Sequence, residues 1–281
     1  MKELTLEITN HCSMNCIHCS TKATERGSSY IKEDMLKEYL KKFKEYDTVR
    51  LSGGEPFDHC HIDKICQTIH NQGKKVNILS CGVYIGYHGD SLPFRFLEEI
   101  QPHVNEIIFS YHGQEKLHNK ITGSWKQTGK YSFWDMLCDS VNSTSRAKIP
   151  YSFETVLMKE NLLKMDEIAK NMSAFGVGKF LNGSEDERMH WHILRFVKQG
   201  RGKTHQYQAP SKEDIIKFPG MVEKFRKNYS NLDITYTNSF EQKECDCGSK
   251  KAVITCHGEI IPCSALKYGA KKGKFACLER V

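Results

Sequence analysis

Residues 4–19 read LTLEITNHCSMNCIHC, and this stretch joins a short apolar run to three closely spaced cysteines. The run at residues 4–9 has the length of a buried strand, so the cysteines fall in the loop that follows it. They are Cys12, Cys16 and Cys19. Three thiolates on a short loop can hold three corners of an iron-sulfur cubane, whereas structural zinc normally takes four nitrogen or sulfur ligands. The triplet therefore predicts a metal centre with one open position, and the alternative is a zinc knuckle completed by His11 or His18.

The pattern that begins with this strand continues along the chain to about residue 200. Short apolar runs alternate with amphipathic stretches, which is typical of a parallel sheet with crossover helices. The predicted strands are residues 4–9, 48–52, 75–81, 106–111, 151–157 and 191–197. The predicted helices are residues 35–43, 62–69, 92–100, 133–141 and 162–175, the last with Asn161 as its N-cap. The fold class is therefore α/β.

The composition of the 281 residues excludes several classes of protein. The mean hydropathy is −0.55, and there is no apolar run of the roughly 18 to 20 residues that cross a bilayer. We expect a cytoplasmic location, because Met1 leads into the first strand with no signal-peptide pattern. The formal charge of +7 comes from lysines interleaved with acidic residues, which favours solvated helix faces over a nucleic-acid surface.

Twelve cysteines in a cytoplasmic chain indicate metal ligation, because thiols are kept reduced in that compartment. We interpret the single cysteines on predicted helices and strands differently, as small buried apolar side chains. These are Cys60, Cys66, Cys81 and Cys138.

A second motif, Leu51-Ser-Gly-Gly-Glu-Pro56, follows the second predicted strand. Two glycines allow the backbone to approach a ligand closely, and the Glu55 carboxylate can accept hydrogen bonds from an ammonium group. Both motifs fall at the carboxyl ends of neighbouring parallel strands, where the sites of α/β proteins collect.

These motifs, in this order, closely resemble those of the radical S-adenosylmethionine (SAM) superfamily. The resemblance covers residues 4–202 and implies a partial (β/α)6 barrel of parallel strands. It ends at residues 195–201, RFVKQGR, which resemble the sixth strand and the Gly-Arg whose main chain flanks adenine. In that family three cysteines hold a [4Fe-4S] cluster whose open iron chelates the amino and carboxylate groups of SAM. The residues implied are Cys12, Cys16 and Cys19 for the cluster, His18 beside adenine, and Gly53, Gly54 and Glu55 at the methionine ammonium.

Residues 109–123, FSYHGQEKLHNKITG, are similar to the fourth-strand element of the family. This similarity implies a ribose or methionine contact for Ser110. Many relatives carry an arginine before the last glycine of the element, where this chain has Thr122. Lys120 and Arg146 are the candidates that we expect to bind the SAM carboxylate instead.

The composition changes after residue 202. We predict a barrel over residues 1–202, a linker over 203–240 and a small cysteine-rich extension over 241–281. The spacing C-x10-G-x4-C in the extension is similar to that of the SPASM and twitch extensions of the superfamily. The extension has fewer cysteines than a full SPASM domain, so it resembles the shorter twitch extension more closely. The resemblance implies a second, auxiliary [4Fe-4S] cluster held by Cys245, Cys247, Cys263 and Cys277. A zinc ribbon is the alternative.

The resemblance implies an enzyme that reductively cleaves SAM to a 5'-deoxyadenosyl radical, which abstracts hydrogen from a small polar molecule or a peptide. An auxiliary cluster suits net oxidation, because it can accept the electron left on the substrate. The alternatives are a maturase that cross-links or epimerises ribosomally made peptides, a glycyl-radical activating enzyme, and a zinc-stapled nucleic-acid-binding protein on an inactive barrel. The expected partner is a low-potential electron donor such as flavodoxin or ferredoxin, with no membrane and no nucleic acid.

Overall fold

The computed structural model describes residues 2–84, 91–123, 132–175, 188–241 and 248–266, and nine strands within them form one sheet. The strands are β1 (Glu3–Thr9), β2 (Thr48–Gly53), β3 (Lys75–Ser80), β4 (Glu106–Ser110), β5 (Tyr151–Leu157), β6 (Met189–Arg195), β7 (Leu232–Tyr236), β8 (Lys251–Ile254) and β9 (Ile260–Ile261). Their order across the sheet is β7-β6-β5-β4-β3-β2-β1-β8-β9. All neighbours are parallel except β8 and β9. The six predicted strands are confirmed as β1 to β6, in sequence order.

Helices connect the parallel strands, as a sheet of this kind requires. They are α1 (Glu33–Lys42), α2 (Ile62–His70), α3 (Phe94–Ile100), α4 (Glu115–Thr122), α5 (Phe133–Arg146), α6 (Lys159–Leu162), α7 (Met165–Phe175) and α8 (Lys212–Asn228). The alternation of strands and helices gives the α/β partial barrel that the sequence predicts. None of the helices in the described part of the chain combines the length and apolar composition needed to span a bilayer.

The strands separate an apolar outer face from a polar inner face. In β1, Leu4, Leu6 and Ile8 are fully buried in the main apolar core, which also contains side chains of the helices. Thr5 and Glu7 alternate with them and line a cavity inside the partial barrel. The period of two along a strand therefore directs carbon-rich side chains to the helices and polar ones to the lumen.

Charged side chains meet in the lumen, and one of these pairs joins strands that are not neighbours. Arg50 on β2 donates from Nη1 to Glu154 on β5 at 2.7 Å, and its Nε lies 3.5 Å from the Glu3 carboxylate. Glu154 is only 4% exposed at its side chain, and the guanidinium holds the pKa of this carboxyl below its usual value despite the opposing effect of burial. The lumen is thus polar and charged, unlike the apolar interior of a filled barrel.

The sequence predicts a linker over residues 203–240. The structure instead has helix α8 and strand β7 in this segment, and β7 extends the sheet. The buried face of α8, which includes Phe218 and Val222, packs on the sheet, and β7 pairs in parallel with β6. One proline of this segment, Pro219, lies inside α8. The apolar face of α8 outweighs the local cost of this proline.

The expected N-cap role of Asn161 is wrong. Asn161 lies within the short helix α6, and the longer helix α7 begins only at Met165. The side-chain amide of Asn161 is fully buried; its Oδ1 accepts from the Met158 N–H at 2.8 Å and its Nδ2 donates to the Val156 carbonyl at 2.9 Å. Asn161 therefore closes the turn after β5.

Candidate functional site

A cavity of about 520 Å³ opens at the carboxyl ends of the strands and extends into the lumen. The loop after β1 forms one wall, and the ends of β2, β3, β4 and β6 form others. The predicted site residues that line it are Cys12, Cys16, Cys19, His18, Gly53, Gly54, Ser110 and Cys263. This volume is within the range that ligand sites usually occupy.

The three cysteines of the N-terminal triplet converge on the mouth of this cavity. Cys12 is buried, while Cys16 and Cys19 are half-buried. Burial raises the pKa of the Cys16 thiol well above its usual value, and the neighbouring charges of Cys12 and Cys19 raise it further. Three thiolates this close repel one another, so a cationic metal centre would stabilise all of them at once. The donor set therefore fits an iron-sulfur cluster.

The two histidines of the zinc-knuckle alternative have other neighbours in the structure. His11 pairs through Nδ1 with Asp58 at 2.9 Å, and the ring of His18 lies against His112. Among the described residues, no group of three or more His, Cys, Asp or Glu side chains is arranged to hold a single metal ion.

Two backbone segments hold the cysteine loop in place. The N–H groups of Asn15 and Ile17 donate to the carbonyls of Thr122 and Ile121 at the end of α4, both at 3.0 Å. From the other side, Arg201 donates from Nε to the Cys16 carbonyl at 2.9 Å and from Nη1 to the Ala23 carbonyl at 2.7 Å. Arg201, which follows β6 and Gly200, therefore positions the loop and also lines the cavity.

Gly54 packs directly against the residue that precedes Cys12. Its N–H donates to the Thr9 carbonyl at 2.7 Å, and the next N–H, that of Glu55, donates to the His11 carbonyl at 2.8 Å. A Cβ atom on Gly54 would lie 1.8 Å from the His11 oxygen. The two glycines thus allow the turn after β2 to meet the cysteine loop, and their backbone lines the cavity.

The Glu55 carboxylate lies behind the cavity wall, which differs from its expected place at an ammonium group. It is 1% exposed and accepts from the Ser80 hydroxyl at 2.9 Å and from the Cys81 N–H at 2.7 Å. The Phe57 N–H is a third donor, at 3.1 Å. Glu55 therefore joins the end of β2 to the end of β3, and only the glycines of its motif face the cavity.

Replacing Glu55 by glutamine is expected to change how stability depends on pH. Burial, with the nearby Asp58 charge, raises the pKa of Glu55 from 4.5 to about 7. The folded protein binds this proton more tightly than the unfolded chain, so Glu55 destabilises the protein as pH rises from about 4.5 to 7, by up to about 3 kcal/mol. In urea unfolding of cluster-free protein, the stability of wild type relative to Glu55→Gln should fall over this range. The control is Glu98→Gln, at an exposed helix position, which should show no such trend. A difference in unfolding free energy between wild type and Glu55→Gln that does not change with pH would contradict the prediction.

Cys81 belongs to the site, although the sequence analysis gave it a structural role. Its thiol is half-buried and lines the cavity, and the adjacent Cys12 side chain, together with burial, raises the pKa of Cys81 well above its usual value. Its position directly after β3, level with the motifs after β1 and β2, is the feature of the sequence that could have indicated this.

Neither cation expected at the SAM carboxylate lines the cavity. Lys120 is exposed and pairs with Glu160 at 2.6 Å, and the guanidinium of Arg146 lies 4.5 Å from the centre of the Phe94 ring. Thr122 does line the cavity, but its hydroxyl donates to the His118 carbonyl at 2.8 Å.

The C-terminal segment reaches the same cavity through Cys263, which lines it together with Ser264 and Ala265. Strand β8 attaches this segment to the free edge of β1, and the Cys256 N–H donates to Glu7 at 3.3 Å. The other three predicted auxiliary ligands lie outside the described residues; they are Cys245, Cys247 and Cys277.

Comparisons with known proteins agree with this architecture. The family model described as the radical SAM superfamily matches residues 6–172. An uncharacterized protein of Methanocaldococcus jannaschii is 27% identical over 179 residues, which is 63% of this chain and 60% of that protein. The chain therefore spans about three fifths of the length of this curated relative.

Solved structures with a similar fold include two that were determined with peptides. One is SuiB of Streptococcus suis bound to the precursor peptide SuiA, with a TM-score of 0.72 and 14% identity, covering 96% of this chain and 61% of that chain. Another is anSMEcpe with bound AdoMet and the Cp18Cys peptide, with a TM-score of 0.65 and 12% identity, covering 94% of this chain and 74% of that chain. At these identities the likeness concerns the fold. Because the family model covers more than half of the sequence, and the partial barrel and its cysteine loop agree with it, this chain belongs to the radical SAM superfamily.

Proposed function

We propose that this protein is an enzyme that reductively cleaves SAM and uses the resulting radical to abstract hydrogen from a substrate. The observation that carries the proposal is the convergence of three thiols and a Gly-Gly turn at the mouth of one cavity. A [4Fe-4S] cluster with SAM supplies the electron transfer and the 5'-deoxyadenosyl radical when both are bound. The chain supplies the ligands, the positioning and a partly enclosed cavity.

The predicted residues that line the cavity have roles in this proposal that their positions support. Cys12, Cys16 and Cys19 hold the cluster, and the backbone of Gly53 and Gly54 approaches the methionine ammonium. His18 lies on the cysteine loop and Ser110 at the end of β4, so both face the same cavity from different walls. We assign His18 to the adenine side and Ser110 to a ribose or methionine contact.

An auxiliary [4Fe-4S] cluster, held by Cys245, Cys247, Cys263 and Cys277, is part of the proposal. It is supported by Cys263, which lines the cavity shared with the cysteine triplet. Four protein ligands leave no open iron, so the cluster would suit electron transfer, accepting the electron left on the substrate radical after hydrogen abstraction. We therefore propose a net oxidation, as in dehydrogenation or cross-linking, in a twitch-type oxidoreductase or maturase with flavodoxin or ferredoxin as reductant.

The substrate that we propose is a small polar molecule or a peptide side chain. A peptide is favoured by the two solved structures of similar fold that contain peptides. The lumen side of the cavity supplies Arg50 and Lys251 as cations, with Glu154 paired to Arg50. These charges favour an anionic or carbonyl-bearing group at the end of the substrate that enters the lumen.

Metal analysis of anaerobically reconstituted protein tests the proposal. About eight irons and eight sulfides per chain are expected, falling to about four of each when Cys12, Cys16 and Cys19 are all replaced by alanine. Wild type with SAM and dithionite should form 5'-deoxyadenosine, and the triple variant should not. About four irons with one zinc would keep the radical chemistry and remove the auxiliary cluster, whereas zinc alone would favour a zinc-stapled binding protein.

A further inference from the structure

Three imidazole rings form a row along one wall of the cavity, starting at the cysteine loop. The ring of His18 meets that of His112 edge to face, with 4.5 Å between centroids, and His112 stacks on His118 at 5.8 Å. His112 and His118 are 2% and 1% exposed, and all three rings line the cavity. Buried polar atoms normally have hydrogen-bond partners. Each ring nevertheless has at least one buried nitrogen with no partner in the described part of the chain.

The hydrogen bonds of His118 fix which of its ring nitrogens carries the proton. The backbone N–H of His112 donates to Nδ1 of His118 at 3.4 Å, so Nδ1 presents a lone pair. Burial, with a smaller effect of His18, lowers the pKa of His118 to about 3, and the ring is therefore neutral near pH 7. Its single proton lies on Nε2, which is the nitrogen without a partner among the described residues. His118 thus offers the cavity one fixed N–H donor.

The group that meets this donor must be a hydrogen-bond acceptor. SAM carries one anionic acceptor, its methionine carboxylate, which needs partners once it leaves water. Lys120 and Arg146 are engaged outside the cavity. Arg201 does line the cavity, but it donates to two carbonyls of the cysteine loop. His118 lies one helical turn before Thr122, on the wall where the expected arginine is missing.

We propose that His118 is a positioning residue that donates a hydrogen bond from Nε2 to the carboxylate of SAM. This inference rests on the proposed function, because it requires SAM in the cavity. A neutral donor orients the carboxylate without cancelling its charge, so the carboxylate keeps its strength as a metal ligand. His112 supports the geometry in two ways, since its backbone fixes the tautomer and its ring stacks on that of His118.

The test compares the affinity of reconstituted protein for SAM and for decarboxylated SAM, measured by equilibrium dialysis. His118→Phe keeps a ring and removes the donor, whereas His118→Gln restores an N–H donor. We expect His118→Phe to weaken SAM binding roughly tenfold to a hundredfold, as loss of a hydrogen bond to a charged group does. Its affinity for decarboxylated SAM should stay within about twofold of wild type, and His118→Gln should recover part of the loss for SAM.

Three controls make the result specific to the carboxylate. His70→Phe, at an exposed position of α2, should leave both affinities unchanged. Iron is measured in every variant, and His118→Leu replaces His118→Phe as the donor-free variant if the latter fails to hold iron. Equal losses for both ligands, or no loss for either, would overturn the proposal. A wild type that binds neither ligand and forms no 5'-deoxyadenosine would instead contradict the proposed function.

Discussion

Replacing Cys16 by alanine is expected to abolish SAM cleavage, with 5'-deoxyadenosine below the detection limit of liquid chromatography. In the proposed cluster each thiolate of the triplet would hold a different iron, so losing one would remove a ligand from a corner of the cubane. Cys16 lies between the other two cysteines in the sequence. Burial and the charges of Cys12 and Cys19 raise the pKa of its thiol. Cys81 is a further thiol that lines the cavity, but the Glu55 carboxylate holds its backbone by accepting from its N–H.

Cys60→Ala is the matched control for this experiment, because Cys60 is exposed and lies outside the cavity. It should keep the iron content and the SAM cleavage rate of wild type. The iron of Cys16→Ala should fall by about four per chain, and the iron of the proposed auxiliary cluster should be retained. Full SAM cleavage by Cys16→Ala would exclude the triplet as the cluster site.

Replacing Gly54 by alanine is expected to lower the rate of SAM cleavage about 100-fold, the size of effect that follows a misplacement of about 1 Å in a catalytic site. The new Cβ would lie 1.8 Å from the His11 carbonyl oxygen, far inside any real contact. Either the turn after β2 or the residue preceding Cys12 must therefore move. Both movements separate the glycine backbone from the cysteine loop, so SAM affinity should fall together with the rate.

Gly220→Ala provides the comparison at a glycine with room for a side chain. Gly220 lies in helix α8, and a Cβ atom there would meet nothing within 4 Å. The change should leave the rate unaltered and stabilise the helix by up to about 1 kcal/mol, because alanine has the higher helix propensity. A Gly54→Ala enzyme with wild-type rate and SAM affinity would contradict the close approach described here.

The strands of the barrel could be predicted because a short run of apolar residues is enough to indicate a buried strand. Each of β1 to β6 is a short run whose side chains must leave water, and the crossover helices repeat their apolar residues at helical spacing. The failure at residues 203–240 has the same origin. Those residues are mostly polar and include Pro219. The apolar face of α8 stabilises the helix only because the sheet buries it, and the sheet is formed by distant parts of the sequence.

The site could be predicted at the level of motifs but not of individual contacts. The spacing of Cys12, Cys16 and Cys19 indicated an open metal position, and the Gly-Gly pair indicated a close backbone approach. The role expected of Glu55 at an ammonium group stays a prediction, and the sequence around Glu55 could not show that Ser80 and Cys81 from the end of β3 would donate to its carboxylate.

The sequence by itself was therefore sufficient to predict the fold class, the cysteine triplet and the glycine turn. Each of these depends on residues that lie within a few positions of one another. Tertiary structure decided which side chains meet across the barrel. Arg50 and Glu154 are 104 residues apart, and Arg201 reaches a carbonyl 185 residues away. The row of His18, His112 and His118 likewise joins a loop, a strand end and a helix. Such contacts form only when one particular topology brings distant parts of the chain together. The pattern of residues close in sequence does not show which distant segments will meet.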